Sequence, residues 1–200
     1  MPFIPVITID GPSASGKGAV AQSLAKTLQF HYLDSGLIYR LTALAARRAN
    51  IDLQDEARLA ELASAVDIQF DGEEIRLNQA PVGAEVRGEA CGADASTIAV
   101  LPAVRVALLA RQRAFRQSPG LVAEGRDMGS VVFPEANLKI YLDASAEIRA
   151  LRRYKQLKEK GMYANLEEIL HGLIARDARD STRSFAPLQK AADTFFLDNS

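Results

Sequence analysis

A glycine-rich stretch near the start of the chain, "DGPSASGKG" at residues 10–18, constrains the fold more than any other feature. It contains a glycine, four residues, then Gly16 and Lys17, which is the spacing of a phosphate-binding loop. An apolar run at residues 6–9 precedes it, and apolar residues recur at helical spacing over residues 17–28. Strand, glycine loop and helix in that order predict a phosphate cradle at a helix N-terminus. An ordinary glycine-rich turn is the alternative.

The loop departs from the usual pattern after its lysine. Gly18 and Ala19 follow Lys17, where a serine or threonine hydroxyl normally steadies a magnesium ion. The backbone N–H groups and the helix dipole hold an anion without that hydroxyl. Magnesium binds through phosphates plus one or two carboxylates and keeps several waters. We expect Glu124, at the end of a later apolar strand, to hold those waters, the alternative being an acid on a surface turn.

Further apolar runs predict strands at residues 121–123, 138–142 and 194–197, with helical segments between them. This alternation predicts an α/β fold, a doubly wound parallel sheet. The sequence ends at "LDNS", directly after the last predicted strand, where we expect a further helix to cover the sheet.

The segment at residues 67–88 has a different pattern. Polar and apolar residues alternate around Asp71 and Gly72, which predicts an antiparallel hairpin. A hairpin does not belong in a parallel core, so we expect a small inserted antiparallel lobe. One helix from about Ala95 to Gln117 is predicted to follow it.

Composition narrows the function classes. Two hundred residues suit one domain with a small insertion. A formal net charge of −1 gives no general attraction to nucleic acid or to a membrane. One cysteine cannot form an internal disulfide, and no apolar run approaches a membrane span or a signal peptide. We expect a cytoplasmic protein that binds neither nucleic acid nor membrane.

Two motifs are candidates for a second anion site. In "LDSGLIYR", residues 33–40, Asp34 and Ser35 can begin a helix, with Arg40 about one turn further on. A simple helix cap with a solvated arginine would look the same. In "AEGRDMGSVVFP", Arg126 and Asp127 follow a strand, at the carboxyl edge where ligands of such sheets bind.

Charged residues near the end of the chain form two further groups. Arg176, Asp180 and Arg183 have the spacing of one helix face, which is also typical of a solvated face. A basic stretch ends at Gly161, and a new helix is expected near Asn165. Next to a phosphate loop, this stretch predicts a lid that closes over phosphates. A solvated face or a nucleic-acid patch is the alternative for its basic residues, Arg152, Arg153, Lys155, Lys158 and Lys160.

Four motifs, "DGPSASGKG", "LDSGLIYR", "EGRDMGSVVFP" and "RDARDSTRSFAPL", together resemble the bacterial cytidylate kinases, nucleoside monophosphate kinases of the P-loop NTPase fold. The resemblance covers nearly the whole chain. It implies transfer of the γ-phosphoryl group of ATP to CMP or dCMP, with Mg accompanying ATP. It also implies a single kinase domain over residues 1–200 and a monomer. The implied parts are a core with its P-loop at 11–18, an NMP-binding lobe at about 35–118 and a helical lid at about 152–165.

The resemblance also implies roles for individual residues. A carboxylate suits the cytosine amino group and an arginine suits its acceptor atoms, so the implied base readers are chemically reasonable. Another small-molecule kinase of the adenylate or shikimate type, a nucleotide-switched binding protein and a nucleic-acid binder remain alternatives. The implied ATP-binding residues are Gly11, Pro12, Ser13, Ala14, Ser15, Gly16, Lys17, Gly18 and Ala19. The implied CMP-binding residues are Ser35, Arg40 and Arg126 (phosphate), Ser96, Arg105, Asp127 and Arg183 (base), and Arg176 and Asp180 (ribose). The implied catalytic residues are Lys17, Arg126, Arg152 and Arg153.

Overall fold

The computed structural model describes residues 3–71, 74–159, 161–190 and 193–200. These divide into two compact units, one of residues 1–33 with 115–200 and one of residues 34–114. The strands are β1 Val6–Asp10, β2 His31–Asp34, β3 Ile68–Asp71, β4 Glu74–Leu77, β5 Ala80–Pro81, β6 Leu121–Gly125, β7 Leu138–Asp143 and β8 Phe195–Asp198. The helices are α1 Lys17–Leu28, α2 Ser35–Arg48, α3 Glu56–Ala65, α4 Gly83–Val86, α5 Glu89–Ile98, α6 Pro102–Arg113, α7 Ala146–Glu159 and α8 Leu166–Thr182, with a π-helical turn at Met128–Val132.

The first unit is built on a five-stranded sheet in the order β2-β6-β1-β7-β8. Strand β1 pairs in parallel with both β6 and β7, and β7 pairs in parallel with β8. The predicted α/β fold with a parallel sheet is therefore confirmed. Its core packs Ile9 and Val122 of the sheet against Ala21 and Ala25 of α1. The central place of β1 puts the loop after it beside the carboxyl ends of β6 and β7.

The second unit carries the predicted antiparallel segment. Strands β3 and β4 pair from Ile68 with Leu77 to Asp71 with Glu74, and β5 adds a third strand beside β4. The prediction of an antiparallel lobe is confirmed. After the β3–β4 hairpin the chain adds a third strand, β5, and the one-turn helix α4, which the prediction of a simple hairpin did not include. Gly72, in the predicted turn, lies outside the described residues.

The prediction of one helix from Ala95 to Gln117 is wrong. The segment forms α5 and α6, which meet at an angle of 107° around a short break. Pro102 is the first residue of α6, where its missing N–H costs nothing, and it disfavours helical geometry at the residue before it. Within the described residues no single helix is long and apolar enough to span a membrane, and only α5 and α6 taken together reach that length and composition.

Helices α7 and α8 match the predicted helices on either side of Gly161, although Lys160 lies outside the described residues. Asn165 caps α8, because its side-chain oxygen accepts hydrogen bonds from the N–H groups of Glu167 and Glu168. Helix α8 ends at Thr182, and Arg183 has extended backbone geometry. The prediction that Arg183 continues the helix face of Arg176 and Asp180 is therefore wrong at that residue.

Candidate active site

The loop between β1 and α1 has the backbone of an anion cradle. Gly16 occupies the N-cap of α1 without a side-chain cap, and the first turn of α1 contains no acid. The positive end of the helix therefore faces the loop. Gly11 is required by close approach, since a Cβ there would lie 2.1 Å from the carbonyl oxygen of Leu142. Lys17 is buried, and its Nζ donates to the Pro12 carbonyl across the loop at 3.0 Å.

A cavity of about 400 Å³ lies between this loop and α7. Arg152 lines it and donates from Nη1 to the Ser15 carbonyl at 3.2 Å. Arg153, the other implied catalytic arginine of α7, donates to Gln156 on its own helix at 3.3 Å. The structure thus brings Arg152 to the loop in this conformation. The lining residues are Ala14, Gly16, Lys17, Gly18, Ala19, Arg152, Lys155, Gln156 and Glu159.

Glu124, the candidate metal-holding residue, lies at the end of β6 and is only 6% exposed. Its Oε1 accepts a hydrogen bond from the Tyr32 hydroxyl at 2.5 Å. The same oxygen would lie 2.9 Å from a Cβ built at Gly18. Because this carboxylate fills the space beside position 18, glycine is the residue that leaves Glu124 undisturbed. The surface-turn alternative for Glu124 is therefore wrong, since the side chain is buried against the loop.

Glu124 has the chemistry that a magnesium ion accompanying ATP requires. Magnesium prefers oxygen ligands and is bound in kinases by one or two carboxylates together with substrate phosphates. Glu124 supplies a buried carboxylate beside the first turn of α1. Within the described part of the chain, no group of three or more His, Cys, Asp or Glu residues is arranged to hold a metal by itself. The residues present therefore fit an ion that arrives with the nucleotide.

An ion pair joins two of the residues implied in CMP binding. Arg126 Nε donates to Asp180 Oδ2 at 2.8 Å, and Asp180 is 5% exposed. Burial alone would raise the pKa of Asp180, but Arg126, Arg176 and Arg183 together lower it below its usual value. The pKa of Arg126 is raised, since Asp180 and Glu124 outweigh the effect of its burial. Asp180 thus stays ionised among arginines, and the alternative of a solvated helix face is wrong for it.

The two implied base-reading residues of this unit also lie together. Asp127 Oδ1 is 3.8 Å from Arg183 Nη2, and both side chains are buried. Arg183 also donates from Nε to the Ala186 carbonyl, which orients its guanidinium. The pair thus places a buried acceptor and a buried donor 3.8 Å apart.

In the unit of residues 34–114, Ser35 is the first residue of α2 and is buried. Asp34 caps this helix by accepting from the Leu37 N–H at 3.0 Å, as the motif predicts. Arg40 donates from Nη1 to the carbonyls of Val86 and Gly88 at 3.0 and 2.9 Å. Arg40 is therefore not a solvated surface arginine.

The same unit holds the other two implied base readers. Arg105 donates to the Ala99 carbonyl at 3.0 Å, and its guanidinium carbon lies 5.5 Å from the centre of the Tyr39 ring. Ser96 is buried on α5. Tyr39 was not predicted as part of this group, although it immediately precedes Arg40 in the "LDSGLIYR" motif.

Sequence reasoning missed Arg149, which holds the phosphate loop from α7. It is buried and donates to the Ser13 carbonyl at 3.1 Å, to the Ala144 carbonyl at 2.8 Å and to Asp177 Oδ2 at 2.6 Å. It lies four residues before Arg153, so the helical spacing of the arginines was an available signal. Asn199 was missed too, and its Nδ2 donates to the Ser15 carbonyl at 2.9 Å.

Comparison with known proteins decides the family. The sequence model of the family described as cytidylate kinase matches residues 7–200. The chain belongs to the cytidylate kinase family.

Two members of the family illustrate the similarity. The cytidylate kinase of Nitrosomonas europaea is 55% identical over 195 residues, which cover 98% of this chain and 87% of the relative. The cytidylate kinase of Bordetella pertussis is 57% identical over 196 residues, covering 98% and 88%. Among solved structures, the crystal structure of TT1252 from Thermus thermophilus aligns at a TM-score of 0.46 and 20% identity, covering 100% of this chain and 90% of that one. The resemblance stated from the four sequence motifs is confirmed by the family match.

Proposed function

We propose that this protein transfers the γ-phosphoryl group of ATP to CMP or dCMP, giving ADP and CDP or dCDP. One observation carries the proposal: a cytidylate kinase match over residues 7–200 coincides with an uncapped helix N-terminus bearing the buried Lys17. The family match favours this activity over that of an adenylate or shikimate kinase. That the protein acts as a cytoplasmic monomer stays a prediction.

Donor binding is assigned to residues 11–19. The backbone N–H groups at the start of α1 bind the phosphates of ATP, and Lys17 leaves the Pro12 carbonyl to neutralise the β- and γ-phosphate oxygens. Glu124 would hold, through its water shell, a magnesium ion bound with ATP, and that ion would supply further neutralisation of phosphate charge.

Acceptor binding is assigned to the CMP-binding residues that the resemblance implies. In the proposal, Arg126 binds the phosphate of CMP, Arg176 and Asp180 its ribose, and Asp127 the amino group of cytosine. Asp180 holds Arg126 in place before the acceptor binds, which lowers the entropy cost of ordering that arginine. The other residues proposed for CMP binding are Ser35, Arg40, Ser96 and Arg105.

Phosphoryl transfer needs alignment and charge neutralisation more than a chemical base. We assign the neutralisation to Lys17, Arg126 and an arginine of α7. Arg152 is favoured over Arg153, since Arg152 lines the cavity beside the loop.

Coupled measurement of ADP production tests the proposal, with ATP as donor and CMP, dCMP, UMP, AMP or shikimate as acceptor. We expect activity with CMP or dCMP well above that with the other acceptors. Lys17→Ala is expected to lower turnover by roughly two orders of magnitude or more, the scale of one lost transition-state contact. Lys26→Ala, at the exposed far end of the same helix, is the control. Turnover of AMP or shikimate in preference to CMP would overturn the proposal.

A further inference from the structure

The turn after Arg126 and Asp127 is capped by a side chain from another strand. Asp10, the last residue of β1, accepts from the Met128 N–H at Oδ1 (2.9 Å) and from the Gly129 N–H at Oδ2 (2.8 Å). Both N–H groups belong to the first two residues of the π-helical turn Met128–Val132. The two oxygens of one buried carboxylate thus satisfy the N-terminal donors of this turn.

Asp127 occupies the N-cap position of that turn but makes no capping hydrogen bond with its side chain. An aspartate at this position ordinarily accepts from the N–H groups two and three residues further on, here those of Gly129 and Ser130. Asp10 takes the first of these, the Gly129 N–H, together with the preceding Met128 N–H. The carboxylate of Asp127 lies instead with its Oδ1 3.8 Å from Arg183 Nη2.

The turn is also held against β1 by close packing. A Cβ at Gly129 would lie 2.8 Å from the Thr8 hydroxyl oxygen, so the turn sits directly on the strand that carries Asp10. Asp10 is 7% exposed and is followed at once by Gly11 of the phosphate loop. One side chain thus connects the start of the donor loop with the segment that presents Arg126 and Asp127.

We propose that Asp10 is a positioning residue for base recognition: by capping the turn itself, it keeps the carboxylate of Asp127 directed at the acceptor base. This inference rests on the proposed function, since it takes Asp127 as the reader of cytosine. Without Asp10, the vacant N–H groups of Met128 and Gly129 would draw the Asp127 carboxylate back onto its own turn. The enzyme would then lose its preference for cytosine before it lost its fold.

The test is the ratio of kcat/KM for CMP to kcat/KM for UMP, measured in the wild type, Asp10→Asn, Asp127→Asn and the double variant. An amide accepts from one N–H group but presents its own NH₂ to the other, so the double cap is lost in Asp10→Asn. We expect Asp10→Asn to lower the ratio tenfold or more, the scale of one hydrogen bond to a charged group. In the Asp127→Asn background the same substitution should change it less than about twofold, because the two residues act in series.

Asp143→Asn is the matched control. Asp143 ends the neighbouring strand β7, and its Oδ1 accepts from the N–H of the next residue, Ala144, at 2.9 Å, a bond an amide oxygen can replace. The CMP/UMP ratio of Asp143→Asn should stay at the wild-type value. Equal losses with CMP and UMP in Asp10→Asn, or an equal fall of the ratio in the Asp127→Asn background, would overturn the inference. A wild type without a preference for CMP would instead overturn the proposed function.

A second measurement needs no variant at Asp10, which covers the case that Asp10→Asn does not fold. Burial raises the pKa of Asp10 to about 6, with Asp127 adding to the rise and Arg126 and the two N–H groups opposing it. Tyr141 also faces Asp10, but its pKa, raised to about 12 by burial, keeps it neutral. Both oxygens of Asp10 act as acceptors only when it is ionised.

The wild-type ratio should therefore rise between pH 5.5 and 7.5, with no such rise in Asp127→Asn. Using the ratio cancels the acceptor phosphate, which titrates near pH 6 in both nucleotides. An equal rise of the ratio with pH in Asp127→Asn would overturn the inference, because the effect would then not act through the carboxylate of Asp127.

Discussion

The carboxylate of Glu124 lies against the backbone of Gly18, with Oε1 2.9 Å from the point where a Cβ would stand. Any side chain at position 18, including one that bears a hydroxyl, would contact Glu124 too closely unless that carboxylate moved. A buried carboxylate held by Tyr32 occupies that side of the first turn of α1. The usual metal-steadying hydroxyl and this carboxylate compete for one space, and in this protein the carboxylate holds it.

Gly18→Ala tests that relationship. The added methyl group should displace Glu124 at a cost of about 1 kcal/mol or more, and the magnesium concentration for half-maximal rate should rise about fivefold or more. Gly172→Ala, inside α8 with open space around its Cβ, is the control, and should only stabilise the fold by roughly 0.5–1 kcal/mol. A magnesium titration at saturating ATP and CMP measures the midpoint in both variants, and urea denaturation measures their stability. An unchanged midpoint in Gly18→Ala would mean that Glu124 does not hold the metal.

Replacement of the arginines of α7 separates their roles. Arg152→Ala should lower turnover by roughly 10²–10³-fold with little effect on CMP affinity, because Arg152 reaches the donor loop. Arg153→Ala should cost less, since Arg153 donates to Gln156 along its own helix. Lys158→Ala removes an exposed charge from the same helix and is the control. Single-turnover rates and CMP binding measure these effects, and wild-type rates in both arginine variants would make the basic stretch a surface feature.

Arg149→Lys should destabilise the first unit. Lysine cannot reproduce three donations in three directions from one planar group, so at least one partner among Ser13, Ala144 and Asp177 is left unpaired. We expect a loss of about 2 kcal/mol in the free energy of unfolding, measured by urea denaturation. Arg153→Lys, one turn further along α7, should change it by less than about 0.5 kcal/mol. Equal stabilities of the two variants would show that Arg149 does not hold the loop.

The stability difference between the wild type and Asp10→Asn should depend on pH. The pKa of Asp10 rises from 3.8 to about 6 on folding, mainly through burial. A raised pKa favours the folded state below pH 3.8, and that contribution is lost as pH rises through about 6. Between pH 4 and 7 the wild type should therefore lose roughly 2.4 kcal/mol relative to Asp10→Asn. Urea denaturation of both proteins across that range measures the difference, and a constant difference would mean that Asp10 is not buried as an ionised group.

The sequence by itself determined the features that neighbouring residues decide. Helix α1 begins at Lys17 and ends at Leu28, as its apolar spacing predicts, and Asp34 and Asn165 cap helices at the expected positions. A helix cap or a helical apolar period depends on residues within one or two turns, so the local sequence is enough to predict it. The order of motifs was also enough to identify the family, which the comparisons confirm. Pro102 was also a local signal for the break, which the prediction of one helix from Ala95 to Gln117 did not use.

Only the tertiary structure decided which distant side chains support the site. Asp10 caps a turn 118 residues later, Arg149 reaches the loop across 136 positions, and Glu124 lies against Gly18. Each pairing exists because β1 lies between β6 and β7, which brings the carboxyl ends of strands distant in sequence to one edge. Strand order is set by the burial of whole faces rather than by any short motif. The letters of "DGPSASGKG" therefore predict an anion cradle, while the side chains that hold it in place follow from the order of the sheet.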